Sequence, residues 1–115
     1  MNIKSFVSEQ NINIMADNGK IIVGQINISK EFFHRRINDK DYTCWYFNRL
    51  FVSNEFRNHG YAKLLLSELI KILNKKQIIL WLDINPYGDL NYEQLEKLYM
   101  KYGFKKYDFG YVRMP

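Results

Sequence analysis

Arg57-Asn58-His59-Gly60-Tyr61-Ala62 is the stretch whose residue types and order could do chemistry. It stands just before a helical pattern. The first N–H groups of a helix have no partner within it, and the helix dipole is positive there. An end of that kind takes anions, phosphate above all. Gly60 would let the backbone approach a ligand, and Ala62 would keep the next approach clear. Arg57 adds a planar fork of donors suited to phosphate oxygens. Taken by itself, the run fits an ordinary loop that turns on its glycine equally well. His34 and His59 lack the company a metal needs, because Cys44 is the only cysteine and no ligand spacing forms. Cys44 has no partner for an internal disulfide and reads as a small buried apolar residue.

Periodicity supplies the elements that must position this run. From Tyr61 to Asn74, Ala62, Leu65, Leu66, Leu69, Ile70 and Leu73 share one helical face; Lys63, Ser67, Glu68 and Lys71 take the other. Cys44 to Val52, dense in aromatic and β-branched residues, predicts the strand that leads into the polar loop Ser53 to Gly60. Gln77 to Ile84 is almost continuously apolar, as in a central strand covered on both faces. Upstream, Ile12 and Ile14, then Ile22, Gly24, Ile26 and Ile28, alternate around Asp17-Asn18-Gly19 and predict a β-hairpin. Glu31 to Tyr42 breaks that alternation, with Phe32 and Phe33 beside charged residues, and predicts a connection carrying a helical turn.

Downstream, Pro86-Tyr87-Gly88-Asp89 predicts a turn. Asn91 with Gln94 forms a capping box, and Leu95, Leu98, Tyr99 and Tyr102 make the buried face of a second helix ended by Gly103. Phe104 to Phe109 and Tyr111 to Met114 predict a last strand pair around Gly110; Phe104, Tyr107, Phe109 and Tyr111 carry too much apolar area to stay solvated. The fold class is α/β in the mixed α+β sense. A central, mostly antiparallel mixed sheet contains one right-handed parallel β-α-β crossover from Cys44 to Ile84, with helices packed on it.

A chain of 115 residues fits one domain, residues 1–115, and 47% hydrophobic content supplies a core and argues against disorder. No apolar run reaches the roughly 18 residues of a membrane span, and Met1 to Gln10 lacks a signal-peptide pattern, so a cytoplasmic protein away from membranes is expected. The net charge of +5 is ordinary. Its pairs Arg35-Arg36, Lys75-Lys76 and Lys105-Lys106 are dispersed, which disfavours a nucleic-acid surface.

Arg57-x-x-Gly60-x-Ala62, preceded by Leu50-Phe51-Val52 and followed by Leu64-Leu65-Leu66, resembles the central signature of the GNAT superfamily of N-acetyltransferases. Leu98-Tyr99-Met100-Lys101-Tyr102-Gly103-Phe104 is similar to a second family motif, in the expected order and at the expected distance. The resemblance covers roughly Ile12 to Met114 and implies acetyl transfer from acetyl-CoA to an amine by direct attack, with no metal. It assigns the CoA pyrophosphate to backbone N–H groups of Asn58, His59, Gly60, Tyr61, Ala62 and Lys63, with Arg57. The pantetheine goes to the Leu50-Phe51-Val52 edge, the thioester to a gap between that strand and the next, the oxyanion to the Val52 N–H, and the general acid to Tyr99.

The chain departs from the family in three places. The two helices usual after the first strand are missing or reduced to Glu31–Tyr42. Tyr92 stands where Asn is frequent, which puts a cofactor contact in doubt. Cys44 to Val52 holds no acid to serve as general base, so Asp83 is the in-sequence substitute, with a solvated strand-end carboxylate as the rival reading. The acceptor is unnamed; an open site suits a protein lysine or N-terminus. A homodimer on exposed aromatics is open as well. The competing function is a catalytically inactive GNAT-like module that binds CoA or a protein.

Overall fold

The computed structural model describes residues 2–86 and 90–115. The described elements are β1 (Asn2–Val7), β2 (Asn11–Asp17), β3 (Ile22–Ile37), β4 (Lys40–Val52), a 3-10 turn (Asn54–Phe56), α1 (Tyr61–Lys76), β5 (Leu80–Leu82), α2 (Tyr92–Lys101), β6 (Lys105–Tyr107) and β7 (Gly110–Arg113). They form a seven-stranded sheet in the order β1-β2-β3-β4-β5-β7-β6. Only the β4–β5 pair is parallel among these, with α1 as the crossover. The fold class read from the sequence is the one observed. Of the turn expected at 86–89, residues 87–89 lie outside the described residues.

Both helices cover the same face of the sheet. Ile12, Ile14, Ile26, Ile28, Phe47, Leu80 and Leu82 meet Leu65, Leu66, Leu69 and Leu73 of α1 and Tyr99 of α2 in one core. The alternate residues point to the opposite face, as strand geometry requires. Under β2 to β4 that face carries amides in place of apolar groups. Asn27 Nδ2 donates to Asn11 Oδ1 at 2.6 Å and to Asn13 Oδ1 at 2.7 Å, and Asn48 Nδ2 reaches Asn27 Oδ1 at 2.7 Å. Such a face can stay wet without a covering layer.

Glu31–Tyr42 is not a helical connection. It belongs to a long β3–β4 hairpin that turns at Asn38 (φ 50°) and Asp39 (φ 66°). Asn and Asp are the residues that tolerate this left-handed pair after glycine, so the turn can reverse the chain tightly. Pairing is interrupted between Lys30 and His34, where Glu31, Phe32 and Phe33 together face Cys44. That bulge hides the period-2 signal. The hairpin end folds over the helix-free face, where Ile37, Cys44, Trp81 and Val112 form a second small core. The Arg35 guanidinium stacks on Trp81 at 4.1 Å and is gripped by Glu31 at 2.6 Å.

Several boundaries move. β1 is an edge strand exposed on both faces for most of its length, which leaves no alternation to read. Gln77 is the left-handed C-cap of α1 rather than the start of β5, and β5 shrinks to Leu80–Leu82. The capping box on α2 is present in both directions. Gly103, at φ 96°, closes the helix with its own N–H on Met100 O and Phe104 N–H on Tyr99 O. Phe109 is 96% exposed, against expectation, because it sits beside Asp108 in the β6–β7 turn and points away from the sheet.

Gly110 opens β7 beneath the Trp81 ring. A Cβ there would lie 2.7 Å from Trp81 Nε1. The ring cannot yield easily, being held by Arg35 and by an edge contact with Tyr107 at 6.2 Å. Gly110→Ala should lower stability by about 1–3 kcal/mol, the usual effect of overpacking. Chemical denaturation would check this; an unchanged midpoint would mean that Trp81 is free to move.

Candidate active site

The β4–β5 pairing ends at Tyr46↔Trp81, while β4 runs on to Val52. The two chains then diverge and leave a cleft of about 600 Å³. Residues 46–52 of β4 form one wall, Leu82 to Asn85 the other, α1's first turn one end, and Leu95, Leu98 and Tyr99 of α2 the floor. Leu50, Phe51, Val52, Arg57, Asn58, Gly60, Tyr61, Ala62, Lys63, Asp83 and Tyr99, the residues singled out from sequence, all line it. His59 does not; its side chain is exposed on the loop.

Backbone register makes the β4 wall chemically specific. Ser53 N donates to Val23 O at 2.8 Å, so Gly24 and Val52 are a non-hydrogen-bonded antiparallel pair. In that register the N–H and C=O groups of Leu50 and Val52 point away from β3, toward the gap left by β5. The phase depends on a bulge at Asn48: Ile28 pairs with Phe47 but Asn27 with Arg49. Strict alternation would send the odd-numbered amides into the cleft instead. Sequence carried a trace of this device in apolar Phe47 and Leu50 spaced three apart, which no unbroken strand places on one face.

The far end of the cleft is the N-terminus of α1. Its first helical bond runs from Leu64 N to Gly60 O at 3.1 Å, so the N–H groups of Tyr61, Ala62 and Lys63 precede the helical ladder. No side chain caps them, and no acidic residue occupies the first turn. A donor set of this kind, with Lys63 beside it, fits a phosphate-bearing ligand. Gly60 takes φ 80°, and a Cβ there would meet nothing within 4 Å, so this approach is open. Arg57 braces the loop: its Nε donates to Val52 O at 3.1 Å and its Nη1 to Asn54 Oδ1 at 3.3 Å.

On the floor, Tyr99 is buried edge-on to Phe47 at 5.6 Å and to Phe104 at 5.8 Å. Tyr92 turns from the cleft. Its hydroxyl meets that of Tyr111 at 2.8 Å, and Tyr111 donates to Glu96, tying α2 to β7. Burial, then the Glu96 contact, keeps the Tyr111 phenol well above its usual range. The residue standing in place of the family's frequent Asn thus has a structural contact here. Burial pushes the Cys44 thiol up to about 11, so it is not a ready nucleophile. Among the described residues no three His, Cys, Asp or Glu side chains are grouped to hold a metal.

The acetyltransferase (GNAT) domain family matches residues 8–106. The chain belongs to the GNAT acetyltransferase family. Solved structures agree on the fold. A GNAT-family protein from Desulfovibrio desulfuricans aligns with a TM-score of 0.69 at 11% identity, over 91% of this chain and 69% of its own. The PaiA N-acetyltransferase from Thermoplasma acidophilum, solved with coenzyme A, gives 0.61 at 20% identity, over 92% of this chain but 62% of its own. The anti-CRISPR protein AcrVA5 gives 0.61 at 14% identity, and there the overlap is 92% of this chain and 99% of the other. No curated protein sequence matches. In this GNAT chain the helix-free sheet face carries the end of the β3–β4 hairpin and an amide ladder. No described helix is long and apolar enough to cross a membrane.

Proposed function

We propose that this GNAT chain is an acetyl-CoA-dependent N-acetyltransferase acting by direct attack of an amine. The observation that carries the reading is the splayed β4–β5 gap running to an uncapped helix N-terminus. Acetyl-CoA supplies a thioester activated for acyl transfer. The N–H groups at the start of α1, with Arg57 and Lys63 alongside, would hold its pyrophosphate, and the Leu50 and Val52 amides would pair with the pantetheine as an added strand. Tyr99 packs on Phe47 and the β4–β5 register puts Asp83 level with Asn48, so the thioester would sit there. That is four residues short of Val52, roughly 13 Å along the strand, so the Val52 N–H would serve the pantetheine rather than the oxyanion. Tyr99 would give a proton to the departing sulfur, and Asp83 would take one from the amine. An open cleft mouth suits an amine on a protein, a lysine or an N-terminus, better than a small enclosed metabolite. A homodimer would rest on exposed Phe32, Phe33 or Phe109, since the open sheet face is polar.

Gly60→Asp should weaken acetyl-CoA binding at least tenfold, about 1.4 kcal/mol, by placing a negative charge at the phosphate end. Gly60→Asn is the control. It tolerates the same positive φ without charge and should lose distinctly less. Calorimetry on both folded variants decides; equal, wild-type affinities would refute the assignment. Steady release of free CoA when an amine is added separates an enzyme from a binding module.

A further inference from the structure

Arg57, Lys63 and the positive end of α1 lie at one end of the cleft, and a further cation, Arg49, lines the β4 wall with its guanidinium over the Phe51 ring at 5.1 Å. Asp83 is the one carboxylate among its described lining residues, and it stands on the opposite wall. It follows Trp81 by two positions and so shares the helix-free face, while Tyr99 belongs to the core on the helical face. A ligand at Asp83 therefore reaches the gap from the side opposite α2. Tyr46, the last β4 residue paired with β5, donates its hydroxyl to Asp83 Oδ2 at 2.8 Å. That bond fixes the carboxylate plane and leaves Oδ1 for another donor. The neighbouring acid does not compete, because Glu31 is held through both oxygens by Arg35.

Building on the reading above, we propose that Asp83 is the seat of a cationic primary amine and that Tyr46 is the positioning residue that aims its carboxylate. The ammonium docks on Oδ1 and sheds a proton through exposed Asp83 to solvent. Its nitrogen then forms the bond to the acetyl carbon as the carbon–sulfur bond breaks. The nitrogen's second proton leaves by the same carboxylate, and the sulfur takes the proton of Tyr99, which is replaced from water. The products are the amide, free CoA and one proton released from the ammonium. Burial, and then the Asp83 contact, push the Tyr46 phenol up to about 12, so it stays a donor across the working range.

The probe is a pool of random-sequence peptides, each with one lysine and a blocked N-terminus, and the readout is released CoA. Tyr46→Phe should raise the half-saturating peptide concentration about tenfold and leave the half-saturating acetyl-CoA concentration unchanged. Asp83→Asn should lose at least as much, and Asp83→Glu should recover part of it. A packing role for Tyr46 would instead shift the melting temperature or both half-saturation values together, and that pattern overturns the proposal. So do Tyr46→Phe and Asp83→Asn variants that saturate with peptide as wild type does. If wild type binds acetyl-CoA but releases no CoA with this pool or with a matching pool of free N-termini, the transferase reading itself falls and this assignment with it.

Discussion

Tyr99→Phe should lower kcat by about a hundredfold or more, the span for losing one acid–base group, while acetyl-CoA affinity and melting temperature stay nearly as they were. The substitution keeps the ring, so the edge contacts to Phe47 and Phe104 survive. The backbone is equally unaffected: the Tyr99 carbonyl still accepts from Tyr102 and Phe104 to close α2. What changes is a hydroxyl on a side chain that lines the cleft. A phenol's reference pKa is near 10, so it is protonated at neutral pH and able to protonate a leaving thiolate. If Tyr99 only fills the floor, its Phe variant turns over at the wild-type rate. That result, with a verified amine acceptor, would leave water or another residue as the proton source.

Truncation after Gly103 should abolish the folded state. Residues 104–115 supply β6 and β7, and β7 is the antiparallel partner of β5 along Leu80–Leu82. Phe104, Tyr111 and Val112 are all buried. Each such side chain contributes ~1.5–3 kcal/mol, and a whole domain has only about 5–15 kcal/mol in hand. The loss also leaves β5, one wall of the cleft, as an unsupported edge. Circular dichroism with a thermal melt is the check; a cooperative transition in the truncated chain would count against this architecture. Phe109 plays no part in the expectation, since it is exposed in the turn.

How well the chain could be read depended on whether local signals and packing agreed. The α1 face, the Asn91–Gln94 box and Gly103 were legible because helix periodicity and cap chemistry are local. The loop before α1 was legible as a turn on Gly60 at a helix start, while its reading as an anion site came from the resemblance to the family and not from residue type and order alone. The β3–β4 hairpin was not, because the bulge at Glu31–Phe33 destroys alternation and the Asn38-Asp39 turn lacks the more familiar glycine. β1 escaped notice since an edge strand exposed on both faces has no pattern. Tyr46 was invisible as a partner of Asp83: a cross-strand contact between β4 and the end of β5 exists only once the parallel register is known.

The bulge at Asn48 has an unusual status in this molecule. Its amide holds Asn27 and Ser29, yet its effect on the cleft comes from its presence as one additional link in the chain. With Asn48 bulged, Leu50 stands opposite Ile26 and Val52 opposite Gly24, and both address the cleft; with Asn48 paired, their neighbours would. Four residues separate Phe47 from Val52 while three separate Gly24 from Ile28, so the surplus is a link in the chain and not a choice of side chain. Substitution and deletion at this position are different operations: the first leaves the mismatch in place, and the second abolishes it and lets the strands pair evenly with Leu50 and Val52 still on the cleft side.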